Sequence, residues 1–301
     1  MNKTFRFALS ALATSLLLAA CGGGGSSGGT GVVSLDVTDA PLDAADAVVI
    51  QFTGVALKRA GSEEQVINFD APRTLDLLAL QGGKTAVLLK DVTVESGDYE
   101  WVRLLVKSER NTLDSYLTET GGTQVPLFVP SGSQAGLKLV SGFTVPQDGK
   151  VAFTIDFDLR KSVAAPQAAG SPYLLKPALR LVDNAQAGAI GGTVASATLA
   201  DASCPSATAA DNANVVYVFP GIATPNDLGG DGPDAVTTAA ASVDTSGTWR
   251  YQAAFLQPGT YTVAFTCQAA NDDPETGAEP IVFLGARTVT VTTGATTTAD
   301  F

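Results

Sequence analysis

The sequence contains no histidine, and three other residue types that often carry chemistry are rare. Of its 301 residues, three are cysteine, two are tryptophan and one is methionine. Without histidine, Ser-His-Asp and Cys-His catalysis, histidine-ligated zinc or haem, and imidazole proton relays are all excluded. No S-x-x-K motif is present to support a Ser-Lys dyad. The composition therefore predicts a protein that is not an enzyme and carries no cofactor.

Basic residues are also scarce. The chain has 18 lysines and arginines against 30 aspartates and glutamates, for a net charge of −12. The imbalance is greatest after Gln186, where 11 acidic residues are accompanied only by Arg250 and Arg287. Because an acidic surface repels phosphate backbones and anionic lipid headgroups, we expect no nucleic-acid partner and no attachment to a membrane through surface charge.

The sequence has no apolar run of the about 20 residues that a membrane-spanning helix needs. The apolar core of a secretory signal peptide needs only about 7–15 residues. The run from Ala8 to Ala20 follows Lys3 and Arg6, and Leu18-Ala19-Ala20-Cys21 resembles the lipobox of bacterial lipoproteins. The pattern predicts a signal peptide at residues 1–20, lipidation of Cys21, and a membrane partner through that lipid. An uncleaved membrane anchor is the alternative.

The segment after the cysteine is composed of small, uncharged residues. From Gly22 to Gly31 no side chain is larger than threonine. Segments rich in glycine and serine behave as flexible coil, so residues 21–31 are predicted to be the lipidated cysteine and its tether. Gly22 resembles the sorting signal of outer-membrane lipoproteins. The expected location is the outer membrane, facing either the periplasm or the cell surface.

The pattern of the remaining sequence predicts short β-strands. Val33 to Thr38 alternate between apolar and polar residues, and no long helical period is present. We predict an all-β protein with two antiparallel β-sandwiches of immunoglobulin or transthyretin type, at residues 32–185 and 186–301. Residues 75–80 are open between a helical turn and a buried strand. Further strands are predicted at 47–57, 99–107, 125–129, 138–145, 151–159 and 174–182.

Several runs in the first sandwich resemble one known family. They are Thr38-Asp39-Ala40-Pro41, Leu75–Gly83, Pro130–Lys138, Asp156–Ser162 and Tyr173–Pro177. Together they resemble the bacterial lipoprotein domain of unknown function DUF4382, over about residues 32–183. The resemblance implies no known activity.

The second half resembles a different module. Ile190–Val194, Leu256–Val263 and Gly294–Phe301 are similar to carboxypeptidase-regulatory or transthyretin-like sandwiches, a fold shared with starch-binding-like modules. One local pattern is common to both halves, since Gly97-Asp98-Tyr99 and Gly259-Thr260-Tyr261 each open an alternating strand. That pattern predicts a tyrosine packed over a sandwich corner, with simple turn preference as the alternative.

Cys204 and Cys267 remain once Cys21 carries lipid. An even pair of cysteines in an exported protein predicts a disulfide. In the chain-entropy model a disulfide closing a loop of this length contributes about 4 kcal/mol. Two thiols without histidine make a poor metal site.

The candidate ligand-binding residues are Tyr99, Trp101 and Arg103. They alternate along one strand with the apolar Val102 and Leu104, so alternation places them together on the opposite face. Aromatic rings beside a guanidinium on an exposed sheet face stack on sugar rings or grip a partner protein. The alternative is that a neighbouring loop covers them as a secondary core.

Aspartates cluster at the first turn of the first sandwich. They are calcium-ligand candidates because calcium prefers many oxygen ligands, although capping of turns accounts for them as well and is favoured. The four candidates are Asp36, Asp39, Asp43 and Asp46.

Two other groups of acidic residues have ordinary structural interpretations. The loop from Asn226 to Asp234 lacks the spacing of an EF-hand and is predicted to be solvated. Asp156 and Asp158 have the spacing of a glycosidase carboxylate pair, but an exposed ionic ladder with Arg160 is favoured.

The sequence as a whole predicts a non-enzymatic binding or structural module anchored in the membrane by Cys21. Candidate partners are a glycan or a protein at the cell surface. The alternative function is a carbohydrate-binding module, and a less favoured one is a carboxylate-dependent glycan hydrolase.

Overall fold

The computed structural model describes residues 28–39, 41–42, 45–130, 136–166, 168, 170–176, 178–204, 213–277 and 279–301. The predicted signal peptide, Cys21 and Asp43 lie outside these residues. The chain is 54% strand and 6% helix, which confirms the all-β prediction. Across the described ranges, no helix is long and apolar enough to span a membrane.

The first half of the chain forms two sheets that enclose one hydrophobic core. A four-stranded sheet has the order β13-β10-β1-β4, and a nine-stranded sheet has β11-β12-β7-β6-β2-β5-β8, with β3 added on β2 and β9 on β5. The strands are β1 Thr30–Asp39, β2 Ala45–Arg59, β3 Glu64–Asp76, β4 Ala86–Glu95, β5 Gly97–Lys107, β6 Tyr116–Glu119, β7 Gln124–Phe128, β8 Leu137–Leu139, β9 Phe143–Val145, β10 Lys150–Phe157, β11 Val163–Ala164, β12 Tyr173–Leu175 and β13 Leu179–Asp183.

The second half forms a smaller sandwich with its own core. Its two four-stranded sheets have the orders β17-β18-β14-β21 and β16-β15-β19-β20. The strands are β14 Gly188–Val194, β15 Val215–Pro220, β16 Thr237–Ala240, β17 Ser242–Val243, β18 Trp249–Leu256, β19 Gly259–Thr266, β20 Leu284–Val291 and β21 Thr296–Thr298. Four short helices complete the described chain, namely the 3-10 helices Leu77–Leu80 and Ala269–Asn271 and the α-helices Leu159–Ser162 and Ser196–Leu199.

The two sandwiches share one strand plan. In the first, β1 lies between antiparallel β4 and parallel β10, and in the second, β14 lies between antiparallel β18 and parallel β21. In the facing sheets, β2 pairs with β3 and β5, and β15 pairs with β16 and β19. The parallel pairs make the sheets mixed, although antiparallel pairing dominates.

Matching local contacts accompany the shared strand plan. The Tyr99 hydroxyl donates to the Glu95 carbonyl and the Tyr261 hydroxyl to the Gln257 carbonyl, each at 2.8 Å and four residues back. The predicted corner tyrosines are therefore present in both halves. Gly31 and Gly188 occupy equivalent positions where a Cβ would lie 2.5 Å from the Pro146 carbonyl and 2.4 Å from the Thr292 carbonyl, respectively.

Several strand ends differ from the predictions. β1 already begins at Thr30, and the Gly29 carbonyl accepts a hydrogen bond from the Ser96 amide at 2.8 Å, so the predicted coil ends earlier than residue 31. The strands predicted at 138–145 and 174–182 are each divided into two. The ambiguous segment after Leu75 resolves into the end of β3 and a 3-10 helix, because the Asp76 carboxylate accepts from the Leu78 amide at 3.2 Å.

Candidate functional site

The predicted aromatic face on β5 is not an exposed platform. Tyr99 is 3% exposed and stacks on Phe143 inside the first core, with 4.9 Å between ring centroids. The pairing of β5 with β2 shifts register between Lys58, opposite Trp101, and Arg59, opposite Tyr99. This irregularity moves Tyr99 onto the core face, since one extra residue reverses the side on which the alternation falls. The prediction that Tyr99 shares a face with Trp101 was wrong.

Trp101 and Arg103 do lie on the outer face, but the indole is only 9% exposed. The Arg103 guanidinium lies 4.7 Å from the Trp101 ring centroid and the Lys138 ammonium 4.5 Å from it. Glu64 holds the Arg103 guanidinium with an ion pair of 3.6 Å. The two cations contact the π face of the Trp101 ring, which a sugar would otherwise stack on. The arrangement therefore matches the alternative in which Trp101 belongs to a secondary core.

Replacing Trp101 therefore tests stability before it tests binding. We expect Trp101→Ala to lower the free energy of unfolding by about 3 kcal/mol, because it removes a nearly buried indole and the contacts of two cations with it. Denaturant unfolding followed by the fluorescence of Trp249 measures the loss, and Trp101→Phe serves as the control that keeps an aromatic ring. A fully stable Trp101→Ala protein that has lost binding to a glycan would instead favour the ligand-platform interpretation.

The three described aspartates near the first turn, Asp36, Asp39 and Asp46, do not form a metal centre with one another. In the part of the chain that the structure describes, no three acidic, histidine or cysteine side chains come close enough to hold a metal ion. Asp36 lies on β1 near the Thr85 hydroxyl, and burial raises its pKa. Asp39 is buried at the end of that strand, and Asp46 accepts a hydrogen bond from the Gly121 amide at 3.3 Å.

The exposed ionic ladder predicted around Asp156 is wrong. Asp156 is 5% exposed and accepts hydrogen bonds from the Arg180 guanidinium on β13, while burial raises the pKa of its carboxyl. Asp158 caps the helix Leu159–Ser162 by accepting from the Lys161 amide at 3.3 Å. The strand ends at Phe157, so the alternation on which the ladder depended does not continue to Arg160. Both carboxylates therefore have structural partners.

Arg160 joins the two sandwiches. Its side chain leaves the first sandwich and is 3% exposed. The Nη1 atom donates to the Ala269 carbonyl at 2.8 Å and to the Tyr217 hydroxyl at 3.1 Å. The Tyr217 hydroxyl in turn donates to the Asp272 carboxylate at 2.6 Å. Arg160 thus enters a hydrogen-bond network of the second sandwich.

The surroundings of this network explain why it is buried. On the outer side of β15, Tyr217 and Phe219 pack with Leu228 in a second hydrophobic cluster of that half. Asp272 accepts from the Leu228 amide at 3.0 Å, and burial raises the pKa of Asp272. The loop after Asn226 was predicted to be solvated, but its Leu228 is fully buried, so that prediction was wrong at its centre.

Two lysines of the first sandwich add ion pairs at the junction. Lys161 binds the Asp234 carboxylate at 3.1 Å and the Ala235 carbonyl at 3.0 Å, and Lys176 binds Glu275. The acidic loops of the second half therefore receive cations from the first half. This arrangement places cations of the first half beside carboxylates of the second half, which has only two basic residues of its own.

A strained residue also lies at the junction. Phe255 has φ of +54°, a conformation that bulky residues rarely adopt, and the pairing of β14 with β18 shifts register beside it. Phe255 lines a small cavity of about 20 Å³ together with Thr38, Pro41 and Asp156 of the first sandwich. The irregularity thus turns an aromatic residue of the second half toward the first.

Sequence reasoning missed this junction. Arg160 was assigned to an exposed strand face, and its partners follow 57 and 109 residues later. The available signal was the charge distribution, since acidic loops in a half with only two basic residues need cations from elsewhere.

The predicted disulfide is confirmed. Cys204 and Cys267 are bonded, with 5.3 Å between their Cα atoms. Cys267 is 6% exposed and belongs to the core of the second sandwich. The bond therefore ties the segment after the helix Ser196–Leu199 to the residue that follows β19.

A cleft of about 670 Å³ opens between the two sandwiches. Its floor is the outward face of β18, β14 and β21, where Arg250 and Gln252 are exposed while Tyr251 is buried. One wall is the 3-10 helix Leu77–Leu80 with the turn that follows it. Gly83 of that turn lies so close to Gln252 that a Cβ would be 3.0 Å from its amide nitrogen.

The first sandwich matches a known protein family. Residues 30–177 match the family model described as a domain of unknown function, DUF4382. The predicted resemblance is thereby confirmed over those residues. The DUF4382 match includes Asp156, Arg160, Lys161 and Lys176, so the cations that reach the second sandwich belong to the matched region.

No curated protein matches the sequence. Among solved structures, the chain is similar over 90% of its length to a leucine-rich repeat protein from Bacteroides thetaiotaomicron, at 12% identity and a TM-score of 0.23. It is similar over 91% to the Bacillus anthracis TIE protein, at 9% identity and a TM-score of 0.20. The chain spans 26% and 33% of those two proteins, respectively.

A third similar structure is GBS52, the minor pilin of Streptococcus agalactiae, at 12% identity and a TM-score of 0.19. That alignment covers 89% of this chain and 94% of the pilin. TM-scores of this size do not establish a shared overall fold.

Proposed function

We propose that this protein is a non-enzymatic, extracytoplasmic lipoprotein whose two sandwiches form one binding or structural body held at the outer membrane by Cys21. The observation that carries the proposal is the Cys204–Cys267 disulfide together with the lipobox-like run before Cys21. A disulfide persists in the periplasm or at the cell surface and is rare in the cytosol.

The junction supports the view that the two halves act as one body. A loosely linked pair of domains has a small polar interface, whereas here a buried arginine, two further cations and a strained aromatic residue cross or face the boundary. Burying a charged group is costly unless it is paired. The pairing of Arg160 with the second sandwich therefore favours one fixed orientation of the two sandwiches.

The absence of histidine from the sequence and the structural partners of Asp156 and Asp158 support a role without catalysis. A carbohydrate-binding role based on Trp101 has no such support, because its ring is covered by Arg103 and Lys138.

The anchoring is tested by Cys21→Ser. In a Gram-negative host, we expect the wild-type protein to sediment with membranes and the Cys21→Ser protein to appear in the soluble fraction, because several acyl chains on one residue make attachment effectively permanent. Fractionation followed by immunoblotting measures the distribution.

Gly22→Asp is the matched control for this experiment. It keeps the cysteine, so that protein stays membrane-bound even if it is sorted to the other membrane. Cys21→Ser protein that remains in the membrane fraction would contradict the lipid anchor. Free thiols at Cys204 and Cys267 in protein isolated from cells would contradict an oxidising compartment.

A further inference from the structure

The small cavity beside Phe255 is lined by buried polar residues of both sandwiches. Thr38 and Asp156 are register partners on β1 and β10, and they line the cavity from the first sandwich. Thr238 lines it from β16, an edge strand of the second sandwich. Each of these three residues is at most 5% exposed. Their polar atoms therefore need partners inside the protein, because bulk water does not reach them.

The Thr238 side chain points to a ligand in this cavity. Its hydroxyl is buried and has no hydrogen-bond partner among the residues that the structure describes. A hydroxyl carries one hydrogen to donate and can accept as well, and leaving it unpaired inside a protein is costly. Buried polar groups almost always have a partner, either in the protein or in an ordered water molecule. The Thr238 hydroxyl thus requires an acceptor for its hydrogen.

The first sandwich offers hydrogen-bond acceptors to the same cavity. The Arg180 guanidinium donates to Oδ2 of Asp156, and no residue that the structure describes donates to Oδ1. The Thr38 hydroxyl donates to the carbonyls of Lys84 and Leu80, at 2.7 and 3.1 Å, so its oxygen is left to accept. A ligand that fits all three residues accepts one hydrogen bond and donates two.

The size of the cavity limits the ligand to a single small molecule. The cavity has about 20 Å³, whereas a buried water needs about 10–15 Å³ and two to four polar partners. We propose that one water molecule is bound here, accepting from the Thr238 hydroxyl and donating to Asp156 Oδ1 and to the Thr38 hydroxyl. A sodium ion is the competing occupant, because Asp39 also lines the cavity. The ion would leave the hydrogen of the Thr238 hydroxyl without an acceptor.

The bound water adds an uncharged link to the junction. Thr238 lies opposite Tyr217 on the neighbouring strand, so the water site adjoins the contact between Arg160 and Tyr217. Thr38 and Asp156 both belong to the region that matches DUF4382. A water-mediated contact is nearly as favourable as a direct hydrogen bond and also fixes orientation. This inference deepens the proposed function and rests on it only in that the two sandwiches form one body.

The test is the direction in which Thr238→Val changes the stability of the full chain. The substitution replaces the hydroxyl by a methyl group of similar size. With water bound, the variant loses a hydrogen bond, and we expect its urea midpoint to fall by about 0.5 M. An unchanged or higher midpoint would overturn the proposal, because removing a hydroxyl that has no partner relieves a cost. Urea unfolding followed by tryptophan fluorescence measures the midpoint.

Thr262→Val is the matched control for the loss of a buried hydroxyl with known partners. Thr262 is 3% exposed, and its hydroxyl donates to the Gly221 carbonyl and accepts from the Ala223 amide, each at 3.0 Å. We expect the midpoint of Thr262→Val to fall by a similar amount. A fall in Thr262→Val alone would show that Thr238 has no partner.

A high-resolution crystal structure of the wild-type protein provides the second measurement. We expect one density peak about 2.7–3.0 Å from Thr238 Oγ1 and within the same range of Asp156 Oδ1. An empty cavity would overturn the proposal, and so would an anomalous peak there in crystals grown with rubidium chloride, which would identify a cation site. Neither result depends on the Cys21 anchor, which fractionation tests separately.

Discussion

Arg160→Ala is expected to lower the free energy of unfolding by about 3–5 kcal/mol, the cost of removing one partner from a buried charged network. The substitution takes a donor from the Ala269 carbonyl and from the Tyr217 hydroxyl, both of which lie out of contact with water. It also takes a positive charge from the neighbourhood of Asp272, which favours the ionised carboxylate. The second sandwich would thus keep buried polar groups without their partner.

The two tryptophans allow the unfolding of each half to be followed separately. Trp101 lies in the first sandwich and Trp249 in the second, and these are the two tryptophans of the sequence. In the parent protein we expect both to report the same denaturant midpoint, measured in Trp101→Phe and Trp249→Phe backgrounds. With Arg160→Ala added, the two midpoints should separate, because the halves no longer unfold as one unit.

Lys176→Ala is the control for this prediction. Its ion pair with Glu275 is half exposed on both sides, and pairs of that kind contribute about 0–1 kcal/mol. A loss below about 1 kcal/mol in Arg160→Ala, with coincident tryptophan midpoints, would show that Arg160 does not couple the sandwiches.

Removal of the disulfide is expected to have an effect of similar size. Cys204→Ala with Cys267→Ala should lower the free energy of unfolding of the second sandwich by about 4 kcal/mol, because the open chain gains conformational entropy when unfolded. The bonded residues are 63 positions apart, and that separation makes the entropic effect large. Denaturant unfolding followed by Trp249 fluorescence measures the change.

Alanine is the suitable replacement because Cys267 is buried in an apolar cluster, where a serine hydroxyl would add a separate cost. The parent protein in reducing buffer is the independent control, and it should show the same loss as the double variant. A change below about 1 kcal/mol would mean that the unfolded chain is already compact around this segment.

The fold class followed from local patterns. The alternation in Val33–Thr38 is sufficient for a half-buried strand, since side chains of a strand point to opposite faces in turn. The same rule failed at Tyr99, where the pairing of β5 with β2 shifts register and moves that side chain into the core. Alternation cannot reveal such a shift, because it depends on the partner strand.

The residues around Arg160 show the other limit of local reasoning. Counting by twos from Asp156 placed Arg160 on an open face, but the strand ends at Phe157 and a one-turn helix turns the chain. The burial of Arg160 depends on Tyr217, Ala269 and Asp272, all contributed by the other sandwich. Nothing near residue 160 in the sequence indicates those contacts.

By itself, the sequence determined the all-β class, the disulfide, and the resemblance of residues near 32–183 to DUF4382. These depend on composition, on the parity of cysteines and on short runs, all of which are local. Only the tertiary structure decided that Trp101 is covered, that Arg160 crosses into the second sandwich, and that Lys84 and Arg250 line one cleft. The physical reason is that burial and charge pairing are set by residues distant in sequence, and folding alone brings them together.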